Sequence, residues 1–184
     1  MHQSRPSHSH AASTDAELVD AINTGDSPAF ETLYLRHRDW VASLANRFLG
    51  DEQAALDVMQ ETFLHLLGRV PGFELRVRLR TYLYPVVRSL AMNQLRRRGL
   101  ERRFLSSVTE SGAAPAHEVP ELRAVLADLS EAHREVLLMR VVDELTPPEI
   151  ALALSIPEGT VKSRLHHALA ALRSNPETQK LLND

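Results

Sequence analysis

Four short stretches of this sequence hold side chains whose types and spacing could do chemistry. PGFELRVRLRTYLY, residues 71–84, sets Phe73, Tyr82 and Tyr84 among Arg76, Arg78 and Arg80. Aromatic rings among guanidinium groups suit unpaired nucleobases, since each stacked base contributes about 1–3 kcal/mol while the cations follow the phosphates. EGTVKSRLHHAL, residues 158–169, has one apolar side, Val161, Leu165 and Leu169, continued by Leu172. Its other side carries Lys162, Ser163, His166 and His167, with Thr160 and Arg164 beside them, a set of donors fit for base edges and phosphates. In DVMQETF, residues 57–63, the groups Asp57, Gln60 and Glu61 follow an i, i+3, i+4 spacing and form one acidic and amide stripe on a helix. The fourth stretch, His8-Ser-His10, could catch a metal ion, but one such pair in a polar tail does not make a site. No metalloenzyme ligand spacing, phosphate-binding glycine loop or nucleophile elbow occurs, so neither catalysis nor a cofactor or resident metal is expected.

These groups must be held by helices. With 43% hydrophobic residues the chain can bury a core, and few glycines and aromatics beside abundant Leu, Ala, Arg and Glu point to an all-α fold. We expect two small helical domains joined by a flexible linker, the C-terminal one a helix-turn-helix. Residues 1–13 read as a disordered, His-rich tail. TDAE at 14–17 reads as a capping box that starts a short helix ended by Gly25. Ser27-Pro28 starts a second helix, which stops at Gly50, and a third runs from about Asp51 to Gly68. PGF marks a loop. A fourth helix carries Leu79, Leu83, Val86, Val87, Leu90 and Leu95 and frays in RRRG; Pro85 inside it predicts a bend near 81–85. The first domain thus spans 14–103.

Residues 104–119 lose periodicity and read as the linker. The second domain, 120–175, has four helical stretches: ELRAVLADL, SEAHREVLLMRVV capped by Ser130, TPPEIALAL and the polar-faced helix; residues 176–184 are a tail. In TPPE, Thr146 caps, Pro147 opens the helix and Glu149 closes a capping box. Ile150, Ala151 and Leu154 inward, a Ser155-Ile156-Pro157 turn and Val161 and Leu165 inward make the helix-turn-helix pattern.

The net charge of −3 hides a separation. Residues 15–61 hold ten acids against three arginines, whereas residues 76–103 hold nine arginines against Glu101. Phosphate attraction acts over about 8–10 Å, so the basic stretch can serve nucleic acid in a mildly acidic protein. The absence of cysteine excludes disulfides and thiol chemistry and fits a reducing cytoplasm. No segment approaches the roughly 20 apolar residues of a membrane span, so no membrane insertion is expected.

LSEAHREVLLMRVVDELTPPEIALALSIPEGTVKSRLHHAL resembles the promoter-reading C-terminal domain of extracytoplasmic-function sigma factors. AFETLYLRHRDWVASLANRFLGD, DVMQETFLHLL and LRTYLYPVVRSLAMNQLRRR resemble, in order and spacing, that family's domain for core polymerase and the minus-ten element. The resemblance implies a promoter-specificity subunit whose partners are core RNA polymerase, promoter DNA and, in some members, an anti-sigma factor. It implies that Asp57, Gln60 and Glu61 dock on the clamp helices of the largest polymerase subunit. Phe73, Arg80, Tyr82, Arg88, Asn93, Arg96 and Arg97 would hold the minus-ten strand, and Thr160, Lys162, Ser163, Arg164, His166 and His167 the minus-thirty-five duplex. The family usually has more carboxylates just before DxxQE; AALD here implies weaker docking, which phosphorylation of Thr62 would restore by adding about two negative charges.

Two other readings stay open on the sequence alone. The helix-turn-helix also resembles output domains of response regulators, which bind duplex DNA unaided. A sigma-like mimic that sequesters an anti-sigma protein would equally tolerate Ala54, Ala55 and Pro85.

Overall fold

The computed structural model describes residues 10–105, 126 and 129–174, side chains being described to residue 99 in the first of these stretches. Most of the expected linker, the ELRAVLADL helix apart from Leu126 and Leu129, and both tails apart from residues 10–13, with their short turn at His10–Ala12, lie outside them. Among the described residues every regular element is helical. The chain divides into two compact units, Met1–Ala114 and Pro115–Asp184.

The first unit holds α1 (Asp15–Asn23), α2 (Ser27–Leu49), α3 (Glu52–Leu67) and α4 (Leu79–Leu105). The Thr14 N–H donates to Glu17 at 2.7 Å and the Thr14 hydroxyl accepts from the Glu17 N–H at 3.3 Å, completing the expected capping box. At α2 the cap is Asp26, not Ser27: its carboxylate accepts the Ala29 N–H, and Ser27 and Pro28 lie within the first turn. Gly50, at φ 61°, ends α2 because the left-handed region costs glycine little. Helix α2 packs on α1, α3 and α4, and α3 packs on α4, around fully buried Leu18, Leu33, Leu44, Leu66, Leu79 and Leu83.

Helix α4 departs from expectation at its end. It continues beyond RRRG to Leu105, and Gly99 does not interrupt it. It also passes through Pro85 without a break; the proline side chain is exposed, and its missing N–H leaves the Thr81 carbonyl without its helical donor. Val87 and Ala91 are buried as expected of an inner face, whereas Leu95 is exposed.

The second unit holds α5 (Glu131–Val141), α6 (Pro147–Leu154) and α7 (Glu158–Ser174). Ser130 caps α5 through the His133 N–H at 3.4 Å. At α6 both the N–H and the hydroxyl of Thr146 donate to the Glu149 carboxylate, at 2.8 and 2.7 Å. Val136, Met139, Leu145, Ile150 and Val161 are buried. A second cluster joins Leu126, Leu129, Leu137 and Ala168, with Leu172 packed against it. Arg134 holds the chain before α5 by donating to the carbonyls of Leu126 and Leu129. The inner face of α7 corrects the expected periodicity, since Ala168 is buried while Leu169 is 42% exposed.

Three carboxylates of the first unit carry a pH dependence. Burial pushes the Asp15 carboxyl up, but hydrogen bonds from His37 Nε2 at 2.8 Å and Arg36 Nη1 at 2.7 Å outweigh it and hold the group below its ordinary range. The Ala54 N–H, with Arg98 Nη2 at 3.0 Å, keeps Asp51 low, and the Thr14 N–H does the same for Glu17. A carboxylate lowered in the folded state stabilises it fully above the ordinary value and loses that contribution as pH falls through the lowered one. The melting temperature of the first unit is therefore expected to fall below about pH 4, with Asp15→Asn flattening that fall, measured by thermal unfolding between pH 7 and 3.

Candidate nucleic-acid and protein interfaces

The loop between α3 and α4 brings the aromatic candidates together. Gly72 takes φ 103°, a conformation that favours glycine, and turns the chain so that Phe73 comes beside Tyr82, ring centroids 4.7 Å apart and planes tilted by 49°. Both residues are half-buried. Of the two tyrosines, Tyr84 is the core residue, 2% exposed and edge-on to Phe48. Arg80 of α4 lies over the Trp40 ring of α2 at 5.4 Å, a cation–π contact. Arg88, Asn93, Arg96 and Arg97 are exposed further along α4. From Arg80 to Arg97 the helix advances about 25 Å, the reach of an extended strand of several nucleotides. Arg96 Nη1 bonds Asn93 Oδ1 at 3.3 Å, and Arg98 is turned to Asp51.

Two residues of this site were missing from the candidates. Trp40 is the sole tryptophan, which was a signal in the composition. Asn23, the last residue of α1, accepts the Gly72 and Phe73 N–H groups on Oδ1 at 2.9 and 3.2 Å and donates Nδ2 to the Phe73 carbonyl at 2.7 Å. No local pattern announces a contact some 50 positions away.

The stripe on α3 is present as a surface: Asp57, Gln60 and Glu61 are exposed, and neither carboxylate has an ion-pair partner among the described residues. Exposed Leu56 and Leu64 flank it, the latter at 65%. Two expectations about this helix are corrected. Ala54 and Ala55 are buried, so carboxylates could not extend the stripe at those positions; of the AALD residues before Asp57, only Leu56 lies on its side. Thr62 is wholly buried and its hydroxyl donates to the Val58 carbonyl at 2.7 Å, so the folded chain presents no acceptor there to a kinase.

In the second unit α6, a left-handed Ser155 and the Ile156-Pro157 turn lead into α7. The Ile156 N–H returns to the Ala151 carbonyl at 3.0 Å, and the Thr160 and Val161 N–H groups are taken by the Pro157 carbonyl. Val161 and Ala168 anchor α7 inward while Lys162, Ser163, His166 and His167 are exposed; Thr160 and Arg164 are intermediate. Lys162 pairs with Glu158 at 2.6 Å. His167 is shared: its ring stacks on His133 of α5 at 5.8 Å and meets His166 edge-on at 5.6 Å. In the N-terminal tail, His10 pairs with Asp26 at 3.1 Å, and no group able to hold a metal occurs among the described residues. No described helix is long and apolar enough to cross a membrane.

The sequence matches known families in two places: residues 33–101 match Sigma-70 region 2, and residues 120–172 match Sigma-70, region 4. The ECF RNA polymerase sigma factor SigW of Bacillus subtilis is 27% identical, the alignment covering 84% of this chain and 92% of SigW. The RNA polymerase sigma-H factor of Pseudomonas aeruginosa is 32% identical, with 86% and 91% covered. In fold the chain is similar to CnrH, solved with the cytosolic domain of CnrY (TM-score 0.65, 24% identity, 87% and 95% covered). It is similar also to RpoE of Bartonella quintana, solved with the anti-sigma factor NepR (TM-score 0.62, 22% identity, 82% and 96% covered).

Proposed function

The chain belongs to the extracytoplasmic-function family of RNA polymerase sigma factors and is a promoter-recognising sigma subunit, and from that premise we propose how its surfaces divide the work. Asp57, Gln60 and Glu61 dock on the basic clamp helices of core polymerase. Phe73 and Tyr82 stack against unpaired minus-ten bases while Arg80, Arg88, Asn93, Arg96 and Arg97 follow that strand's phosphates. Lys162, Ser163 and His166 face the upstream major groove, with Thr160, Arg164 and His167 at its margins. The chain performs no bond chemistry itself and acts in the cytoplasm, where the polymerase works. CnrH and RpoE were each solved with a partner protein, and a partner that covers these surfaces, an anti-sigma factor, is inferred here too.

The observation that carries the reading is the exposed acidic stripe on α3 within the same helical unit as the Phe73–Tyr82 pair and the exposed arginines of α4. A regulator that reads duplex DNA alone needs neither. Run-off transcription with core polymerase, this protein and a genomic promoter library tests it. Selective initiation is expected. Tight duplex binding without initiation would instead favour the regulator, and neither activity would favour the mimic.

A further inference from the structure

We propose that Asn23 is a positioning residue for strand capture, holding the Phe73 loop in its stacking conformation before a base arrives. The inference rests on the reading of Phe73 and Tyr82 as a base platform. Asn23 ends α1, yet its side-chain amide bonds the backbone of Gly72 and Phe73 three times and, among the described residues, makes no bond within its own helix. Apart from the contact of the Phe73 ring with Tyr82, the loop is open: Pro71 and Gly72 are exposed and Phe73 is only half-buried. Beyond its chain neighbours, no atom lies within 4 Å of where a Gly72 Cβ would stand, so the loop is not wedged in place by packing at that position. A ring on such a loop would have to be ordered as the base binds, and that cost would subtract from stacking. Fastening both faces of the Phe73 peptide pre-pays it.

The residue type fits the task. The contact needs an acceptor for two N–H groups and a donor for one carbonyl on a single short side chain. Asparagine supplies both. Aspartate accepts the two N–H groups but faces the Phe73 carbonyl with an oxygen.

The test measures binding of a labelled single-stranded minus-ten oligonucleotide to polymerase reconstituted with wild type, Asn23→Ala, Asn23→Asp, Phe73→Ala and the Asn23→Ala/Phe73→Ala double variant. Core-polymerase affinity is measured alongside. Asn23→Ala is expected to weaken strand binding about tenfold with core affinity unchanged, and Asn23→Asp to fall between it and wild type. In the Phe73→Ala background the loss of Asn23 should add less than about twofold, because the asparagine acts through that ring. Wild-type strand binding by Asn23→Ala and Asn23→Asp, with Phe73→Ala impaired, would refute the role and leave the platform standing. Losses that multiply in the double variant would also refute it. Phe73→Ala without effect would remove the platform itself, and the inference with it. Should Asn23→Ala fail to fold, Asn23→Asp, which retains both accepted bonds, decides between the same outcomes.

Discussion

Thr62→Glu is expected to unfold the first helical unit and thereby abolish polymerase binding, the opposite of what added negative charge beside the stripe would do on an exposed surface. Thr62 has no exposed surface and its hydroxyl is spent on the Val58 carbonyl. On the same helix Val58, Met59, Phe63 and Leu66 turn into the core. Burying a carboxylate there costs about 3–5 kcal/mol or forces the helix off its neighbours. For a unit of this size that is a drop of about 15 °C or more in melting temperature. Thr62→Val keeps the shape and loses only a bond within the helix, so it should cost about 1 kcal/mol and leave docking intact. Scanning calorimetry of the three proteins checks this; a Thr62→Glu protein melting like wild type would contradict the burial.

Position 62 also marks how far the sequence could be read. Neighbours in sequence stand about 100° apart on a helix, so Thr62 next to Glu61 is already off the stripe. The signal was present: Ala55, Met59, Thr62 and Leu66 follow the i, i+4, i+7, i+11 spacing of a buried face, but a threonine and an alanine carry it weakly. Ala168 was overlooked in the same way, because Leu169 next to it is the more hydrophobic residue and its side chain is exposed. The capping boxes at Thr14 and Thr146 and the stop at Gly50 were legible because a helix end is decided by residues within one turn. That one of the two tyrosines turns inward could be anticipated, and the buried run Leu83, Tyr84, Val87, Ala91 identifies it as Tyr84. The end of α4 was not legible, since a single exposed glycine lowers helix stability by about 1 kcal/mol without forcing a break. The Asn23 clamp could not be read at all. It exists only because the fold of α1 against the rest returns residue 72 to it.

Reversing both charges of the α3 stripe, Asp57→Lys with Glu61→Lys, should separate binding from folding more cleanly than any core substitution. Both carboxylates are exposed and have no ion-pair partner among the described residues, so their replacement breaks no internal contact. Lysine is also a good helix former, and the melting temperature should stay within about 2 °C of wild type. At a basic docking surface the change is severe: each favourable pair becomes a repulsive one, and truncating even one partner of a close interfacial pair costs about 2–5 kcal/mol. The dissociation constant for core polymerase is expected to rise at least about 100-fold, and run-off transcription to vanish with it. Because exposed charges are screened within about 10 Å at 0.1 M salt, wild-type affinity should fall as salt is raised, while the residual affinity of the variant should change little or rise. Gln60, between the two, should matter less, since an amide contributes a hydrogen bond and no net charge. Core affinity within twofold of wild type for the double reversal would remove this face from the polymerase interface and would require the docking surface to be sought elsewhere on the first unit.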